Sequence, residues 1–300
     1  MSSPLVARHS WFEATARSRV AGLLDAGSFQ EILPPAESQP SPHLASLDLP
    51  GAFDDGVVIG CGRLAGKAVF VAAQEGQFMG GAVGEIHGAK IVGLLRRAAL
   101  EKPAAVLFMI DSGGVRLHEA NAGLIAISEI MRAVLDARAA GVPVIALVGG
   151  SCGAFGGMGL VAKLCSAIII SEEGRLALSG PEVIETVAGV EEFDSKDRAL
   201  VWRVTGGKHR YLMGDCAALV EDDIPAFRAG ASEFLAKWQE PAPSVANLRV
   251  TQQILENRLA AYASYRDGLQ VWAALGVAEP EAVPLLDRDS LVALKEGLPT

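Results

Sequence analysis

Two glycine-rich segments of the chain could hold a negatively charged oxygen. The first glycine turn, Ser112-Gly113-Gly114, follows the apolar run AAVLFMID, and the second glycine turn, Gly149–Gly157, follows VPVIALV. If each turn leads from a strand into a helix, main-chain N–H groups stay unpaired beside the positive end of the helix dipole. Glycine lets a ligand approach the main chain closely. The pattern predicts two anion-holding turns at one sheet edge, and the alternative is a pair of ordinary strand-to-helix turns.

Two such turns suit a reaction in which a thioester carbonyl becomes an enolate. One turn would hold the thioester oxygen and the other a carboxylate or a second oxyanion. Removing one donor of this kind typically lowers the rate by about 10²–10³. We expect Ser112 and Ser151 to shape the turns, with both serines close to the substrate.

The second glycine turn also matches the G-x-S-x-G pattern of serine hydrolases. Ser151 lies at the nucleophile position, and Asp194 or Asp197 followed by His209 completes a Ser…Asp…His order. His209 is the only histidine after Ser151, and it lies in the basic run GGKHR rather than in a late loop. A serine hydrolase that uses Ser151 therefore stays an alternative.

Charged residues next to the first glycine turn could assist the reaction. Arg116 and Glu119 either steady the turn or face the pocket, and the alternative is an ion pair on a helix surface. His87 and Glu85 could supply a proton from the preceding helix. His118 is equally well explained as a surface residue.

One basic segment stands out in an acidic chain. This basic segment, residues 203–210, contains Arg203, Lys208, His209 and Arg210. It could bind a phosphate-bearing prosthetic arm or an acidic carrier protein. The alternative is a solvated basic surface.

Strands alternate with helices around these segments. The order predicts an α/β fold with largely parallel pairing, and the continuous apolar runs are typical of buried parallel strands. A hairpin or meander is predicted at VVIGCGRLAGKAVFVAAQE, and a helix from about 116 to 140. We expect one domain over residues 50–240. A helix at residues 10–26, begun by Ser10 and Glu13, and a proline-rich segment form an N-terminal arm over 1–49, and 241–300 form a helical C-terminal arm.

Charge and cysteine content exclude several classes of protein. The net charge of −9 argues against binding of nucleic acid or anionic membranes. The uncharged stretch between Arg138 and Lys163 contains Pro143 and many glycines, which favours strand, turn and helix over a membrane span. The four cysteines show no CxxC spacing, so no metal site is predicted. Without a secretory signal at the start, we expect reduced thiols in the cytoplasm.

Four motifs in order resemble the carboxyltransferase branch of the crotonase superfamily. They are FMGGAVGEIHGAKIV, DSGGVRLHEA, VGGSCGAFGGMGLVAKL and SGPEVIE. The chain is similar to acetyl-CoA carboxylase carboxyltransferase β subunits over about residues 50–225. The resemblance implies a β-β-α spiral with two oxyanion holes, formed by the amides of Gly113 and Gly114 and by those of Gly156 and Gly157.

Differences from the acyl-CoA carboxylase subunits restrict the resemblance to a smaller group within the branch. The chain lacks the four-cysteine zinc ribbon of bacterial carboxylase β subunits, and propionyl-type carboxylases are much longer. With VTGGKHRYLMGDCAALVEDD after the core, it looks like a malonate decarboxylase β subunit.

The narrower resemblance implies a reaction and a set of partners. A homologous γ subunit would share the active site at the interface, and an acyl carrier protein and an acyltransferase subunit would complete the complex. Malonyl-thioester on a dephospho-CoA-derived arm of the carrier would lose CO2, with no cofactor bound directly to this chain. Carboxyltransferase subunits of acyl-CoA carboxylases or of biotin-dependent malonate decarboxylases, and a non-catalytic partner, are the alternatives.

Overall fold

The strands of one seven-stranded sheet lie in the order in which they follow along the chain. The computed structural model describes residues 9–37, 40–42, 46, 48, 56–242 and 244–298. The strands are β1 (Gln30–Ile32), β2 (Val57–Leu64), β3 (Lys67–Gln74), β4 (Ala105–Ile110), β5 (Val144–Val148), β6 (Ala167–Ser171) and β7 (Ala218–Val220). Strands β1 to β3 pair antiparallel, and β3 to β7 pair parallel. The predicted hairpin and the largely parallel α/β sheet are confirmed.

Helices cover both faces of the sheet. The described α-helices are α1 (Ala16–Leu23), α2 (Glu85–Glu101), α3 (Ala122–Ala139), α4 (Gly157–Leu164), α5 (Pro181–Ala188), α6 (Arg198–Thr205), α7 (Gly207–Leu212), α8 (Ile224–Lys237), α9 (Val245–Tyr262), α10 (Gly268–Ala274) and α11 (Arg288–Glu296). None of them is both long and apolar enough to cross a membrane.

The central strands are apolar on both sides because each side is covered by helices. In β4, Val106 and Phe108 point into the core that α2, α3 and α4 share, whereas Leu107 and Met109 point into the core under α1 and α8. All of β4 is buried. A strand covered on both faces loses the polar alternation of a half-exposed strand, which explains its continuous apolar sequence.

A second, very short layer of pairing lies between the central strands and their helices. Single parallel bridges join Val83 to Val115, Ser112 to Ala154, and Ala154 to Leu176. Each repeat therefore consists of a sheet strand, a brief second strand and a helix. This arrangement confirms the expected β-β-α spiral.

The same second layer changes where the helix after the first glycine turn begins. The sequence pattern predicts a helix from about 116, but α3 begins at Ala122, after the bridge at Val115 and a 3₁₀ turn at Leu117–Glu119. The first glycine turn thus leads into extended backbone. The expectation of a direct strand-to-helix turn is wrong at this position.

Both arms pack against the central fold where they are described. In the N-terminal arm, α1 begins at Ala16 with Thr15 as its cap, later than the predicted start. The Ser10 hydroxyl accepts from the Glu13 N–H at 3.1 Å in the turn before α1, and donates to Asp222 at 2.6 Å. Trp11 is fully buried and stacks on Phe227 at 4.0 Å.

The C-terminal arm, predicted as helical over 241–300, contains the helices α9, α10 and α11 in its described residues. The proposed boundary at 49/50, and part of the proline-rich segment, lie outside the described residues. The boundary at 240/241 stays a prediction.

Candidate active site at the glycine turns

The two glycine turns lie directly against each other. The Ser112 N–H donates to the Gly153 carbonyl at 2.6 Å, and the Phe155 N–H donates to the Ser112 carbonyl at 3.0 Å. A Cβ placed on Gly156 would lie 3.3 Å from the Gly114 Cα. The neighbouring parallel strands β4 and β5 therefore bring both turns to one edge of the sheet, as their pairing predicts.

The four amides expected to hold oxygens are not equally available. The Gly113 N–H donates to the Gly80 carbonyl at 2.9 Å, and the Gly156 N–H donates to the Leu178 carbonyl at 2.8 Å. Those two amides are already paired within the chain, and their role as oxyanion donors stays a prediction. The Gly157 N–H has no acceptor among the described residues, and the Gly114 N–H reaches only the Ser112 hydroxyl, at 3.2 Å. Gly114 and Gly157 thus carry the two amides that can turn towards a ligand.

The helix dipole acts at the second glycine turn. Gly156 is the N-cap of α4 and Gly157 is its first residue, so the Gly157 N–H points out of the first helical turn. Gly156 has φ +57° and Gly114 has φ +136°, and the second value belongs to a region that essentially only glycine adopts. Glycine at 114 is thus required by the backbone, whereas at 157 a Cβ would meet the Ile127 side chain at 2.6 Å.

Both serines shape the turns. Ser112 is fully buried, and its hydroxyl bridges the N–H and the carbonyl of Gly114 at 3.2 and 3.3 Å. The carbonyl of Ser151 accepts a hydrogen bond from the Arg175 guanidinium. Arg175, which the sequence pattern did not single out, also stacks over Phe155 at 5.5 Å.

Asp111 and Arg19 form an ion pair beside the turns that the sequence analysis missed. Both side chains are 2% exposed, and Arg19 Nη1 lies 2.8 Å from Asp111 Oδ2. Burial raises the pKa of the Asp111 carboxyl, and the adjacent Arg19 charge opposes this. The aspartate preceding the Ser-Gly-Gly sequence was the only available signal, because its partner is 92 residues away along the chain.

Arg116 and Glu119 form a buried ion pair under the first glycine turn. Arg116 Nη1 lies 2.7 Å from Glu119 Oε1, and the two side chains are 3% and 0% exposed. Glu119 also accepts a hydrogen bond from the Glu85 N–H at 2.5 Å, which fixes the start of α2. The pair is neither on a helix surface nor open to a substrate. Arg116 therefore steadies the turn, and its assignment to substrate binding stays a prediction.

The residues considered as proton donors lie in different environments. His87 is fully buried and its Nε2 lies 3.0 Å from Gln74 Nε2. Glu85 accepts a hydrogen bond from the Ser41 hydroxyl at 2.9 Å. His118 is exposed, as expected for a surface residue. A role for His87 or Glu85 in proton transfer stays a prediction.

The cations of the basic segment form hydrogen bonds and ion pairs within the chain. Arg203 binds Asp267 through two nitrogens at 2.7 to 3.0 Å. Lys208 donates to the carbonyls of Pro284 and Leu286 at 2.8 and 2.7 Å. Arg210 donates to the Val204 carbonyl at 3.1 Å. Arg203 and Lys208 thus hold the C-terminal arm, whereas Arg210 binds within the central domain. Binding of a phosphate or a carrier protein by these cations stays a prediction.

The serine hydrolase alternative needs His209 as its general base, and the environment of His209 does not suit that role. His209 is buried against Trp272, with ring centroids 6.0 Å apart, and burial together with the nearby Arg210 charge lowers its pKa to about 3. No hydrogen bond joins Ser151 to a histidine in the described part of the chain. After Ser151 the chain makes a turn and a single bridge at Ala154 before α4 begins at Gly157, so Ser151 does not lie directly at a helix start as in a nucleophile elbow.

Metal ligands do not gather in the described residues. No group of three or more histidine, cysteine, aspartate or glutamate side chains there could hold a metal ion. The cysteines are free thiols, and burial raises the pKa of Cys165 and of Cys216 to about 12.

A cavity of about 450 Å³ lies between α2 and α3. Ala126 and Ile125 line it, and the neighbouring Ile127 side chain touches Gly157. The volume falls within the range of small-molecule sites. Arg96 and Glu129 also line it, and they pair at 2.9 Å.

Exposed apolar side chains follow each turn. The exposed fraction is 83% for Leu117, after the first glycine turn, and 65% for Leu178, whose carbonyl binds Gly156. On α5, Val187 is 84% exposed. Large exposed apolar residues around a site are typical of a surface that another subunit covers.

Comparisons with known proteins agree with this geometry. The malonyl-S-ACP:biotin-protein carboxyltransferase of Malonomonas rubra is 41% identical over 96% of each chain. A chain of the Pseudomonas malonate decarboxylase hetero-tetramer, solved in complex with malonate, is 40% identical with a TM-score of 0.81, over 90% of this chain and 98% of that one. The propionyl-CoA carboxylase beta chain of Saccharopolyspora erythraea is 32% identical over 76% of this chain and 40% of its own length.

The match to the family extends beyond the four motifs. It covers residues 8–250, and so includes α1 and the start of α9. The N-terminal arm from residue 8 and residues 241–250 of the C-terminal arm therefore lie within the family match. On this match, the chain belongs to the carboxyl transferase domain family.

Proposed function

We propose that this chain is a malonate decarboxylase subunit that removes CO2 from a malonyl-thioester. The observation that carries the proposal is the pair of amides at Gly114 and Gly157, on two turns that touch, which are not committed to strong hydrogen bonds within the chain. The similarity to malonate decarboxylase and malonyl-S-ACP carboxyltransferase subunits over nearly the whole chain supports the substrate.

The reaction breaks the bond between the carboxylate and the α-carbon of the malonyl group. The electron pair of that bond moves onto the thioester oxygen as an enolate, CO2 leaves, and the α-carbon then takes a proton to give the acetyl-thioester. The Gly157 N–H at the start of α4 is suited to hold the growing negative charge, because a preorganised donor needs no rearrangement during the step. The Gly114 N–H would face the second oxygen.

A homologous partner subunit completes the site in this proposal. The related Pseudomonas chain comes from a hetero-tetramer, and the exposed Leu117, Leu178 and Val187 offer an apolar surface beside the turns. The malonyl group would arrive on a dephospho-CoA-derived arm of an acyl carrier protein, loaded by an acyltransferase subunit. The cavity between α2 and α3 is a candidate path for that arm.

The proposal takes CO2 to leave without a biotin carrier. The alternative is transfer of the carboxyl group to a biotin protein, the reaction named for the Malonomonas rubra relative. Both reactions need the same enolate, so the two amides serve either one.

Reconstitution tests the proposal and its alternative together. The chain is combined with its partner subunit and a malonyl-thioester carrier, and CO2 release is followed without biotin and then with a biotin protein. We expect release without biotin. Release that depends on biotin would replace the simple decarboxylase with the carboxyltransferase, and the absence of any malonyl-thioester turnover would refute both.

A further inference from the structure

Asp111 lies where three glycine-bearing turns meet. A Cβ on Gly76 would lie 2.6 Å from Asp111 Oδ2, and one on Gly150 would overlap the same carboxylate. A Cβ on Gly81 would overlap the Asp111 carbonyl oxygen. The main chain of three separate segments is therefore packed around one side chain and its peptide group, and only glycine fits at these three points.

The Asp111 carboxylate joins the N-terminal arm to the second glycine turn. Its Oδ2 accepts from Arg19 Nη1 at 2.8 Å, and its Oδ1 accepts from the Cys152 N–H at 2.7 Å. Arg19 is fixed from its other side, since its Nε donates to the Trp11 carbonyl at 2.9 Å. Charge-assisted bonds of this kind are the strong ones in a buried setting.

Asp111 also controls the first glycine turn, because it is the residue immediately before Ser112. Its own N–H reaches the Gln74 side-chain oxygen at 3.4 Å. A single aspartate thus contacts the second turn through its carboxylate and begins the first turn through its backbone. Any shift of its side chain would move Cys152 relative to Gly114.

We propose that Asp111 is a positioning residue that sets the second glycine turn against the first through the Cys152 N–H. Asp111 acts through the turns and does not touch the substrate. This inference rests on the proposed function and adds to it the residues that align the two amides.

Two double variants isolate the positioning bond from the buried charge. Arg19→Met with Asp111→Asn removes both charges but keeps an oxygen that can accept from the Cys152 N–H. Arg19→Met with Asp111→Ala removes that acceptor as well. Removing both partners avoids leaving one unpaired buried charge, which is the damaging change.

The measurement is kcat and KM for CO2 release by the complete complex, scaled to the folded fraction. We expect the alanine double variant to lose about 10²-fold in kcat, because a displacement near 1 Å has that cost, with KM little changed. The asparagine double variant should stay within about three-fold of wild type. Equal kcat in the two double variants would overturn the proposal, since a merely structural pair would affect only the amount of folded protein.

A matched control comes from another largely buried ion pair. Arg138 Nε lies 2.7 Å from Glu240 Oε1 near the far end of α3, and the Glu240 side chain is 1% exposed. Arg138→Met with Glu240→Ala should lower the melting temperature and leave kcat unchanged. A similar loss of kcat in this control would show that any buried pair affects the rate, and would also overturn the proposal.

Amide hydrogen exchange in the isolated chain provides a readout that does not need activity. The second glycine turn should exchange faster in the alanine double variant than in the asparagine one, and β2–β3 should not change. If the wild-type complex shows no turnover, the proposed function fails and the role of Asp111 is not affected. If residues 150–157 exchange equally fast in the two double variants, the role of Asp111 fails.

Discussion

The glycine turns and the basic segment differ in which of their polar groups already have partners within the chain. The turns carry almost no charge towards the solvent side, but Gly157 keeps an N–H that no described residue uses. The basic segment carries several cations, yet Arg203 and Lys208 are bound to Asp267 and to the Pro284 and Leu286 carbonyls. The charged side chains of the basic segment are therefore bound within the chain. In the glycine turns, by contrast, a main-chain N–H is available to bind a ligand.

From this difference we infer that the availability of a polar group, rather than its charge, marks the proposed site. A cation that already has good partners gains little from a ligand, because it must give up those bonds first. An amide at a helix start has no partner to give up. Four variants test this contrast, from the largest expected effect to the smallest.

Gly157→Val should cause the largest loss. Its side chain would collide with Ile127, which a Cβ already meets at 2.6 Å, and the adjustment would displace the free N–H. We expect kcat for CO2 release to fall by about 10²–10³, the usual cost of losing an oxyanion donor. Gly93→Ala in α2 is the control, since a Cβ there meets nothing within 4 Å. Unchanged kcat in a folded Gly157→Val protein would remove Gly157 from the site.

Gly114→Ala should reduce kcat by about 10²-fold, because alanine resists φ +136° and the turn must move. Gly66→Ala is a closely matched control. Gly66 has φ +78° at the hairpin between β2 and β3, and like Gly114 it has open space around a Cβ. This control should lose about 1 kcal/mol of stability and no activity. If Gly114→Ala, like Gly66→Ala, loses stability but no activity, backbone strain alone explains why glycine occupies position 114.

Arg203→Gln should affect stability and not substrate binding. The Arg203–Asp267 pair is about one-fifth exposed on each side (20% and 23%), and losing such a charge-assisted contact costs about 1–3 kcal/mol. Urea unfolding should show that loss, while KM for the malonyl-thioester carrier stays the same. A ten-fold rise in KM would support the basic segment as a carrier-binding surface, because it corresponds to a loss of about 1.4 kcal/mol of binding free energy.

His209 should make the chain less stable as the pH falls. Its folded pKa is lowered from 6.5 to about 3 by burial and Arg210. Below pH 6.5 the unfolded chain therefore takes up a proton that the folded chain does not, so stability declines from there towards pH 3. Between pH 6.5 and 5 the loss is on the order of 2 kcal/mol.

Replacing the imidazole tests that pH dependence. His209→Phe should flatten the decline in urea unfolding between pH 6.5 and 5, because the ring no longer titrates. His118→Gln, at an exposed position, is the control and should leave the decline as in wild type. An equally steep decline in His209→Phe would place its cause elsewhere in the chain.

The sequence determined the strands, the repeat and the family. Buried parallel strands need apolar side chains on both faces, so runs such as Ala105–Ile110 are readable from composition alone. The order of the glycine motifs indicated the spiral, and the comparisons agree with it. Pairing of β4 with β5 then required the two glycine turns to meet.

The tertiary structure alone decided which groups of those turns are free and what holds them. Gly113 and Gly157 look equivalent in sequence, but only Gly113 faces a carbonyl from another turn. Arg19 meets Asp111 across 92 residues, and Arg203 meets Asp267 across 64. Hydrogen-bond partners this far apart leave no local spacing pattern, so the sequence shows which groups can bind a ligand but not which are already bound.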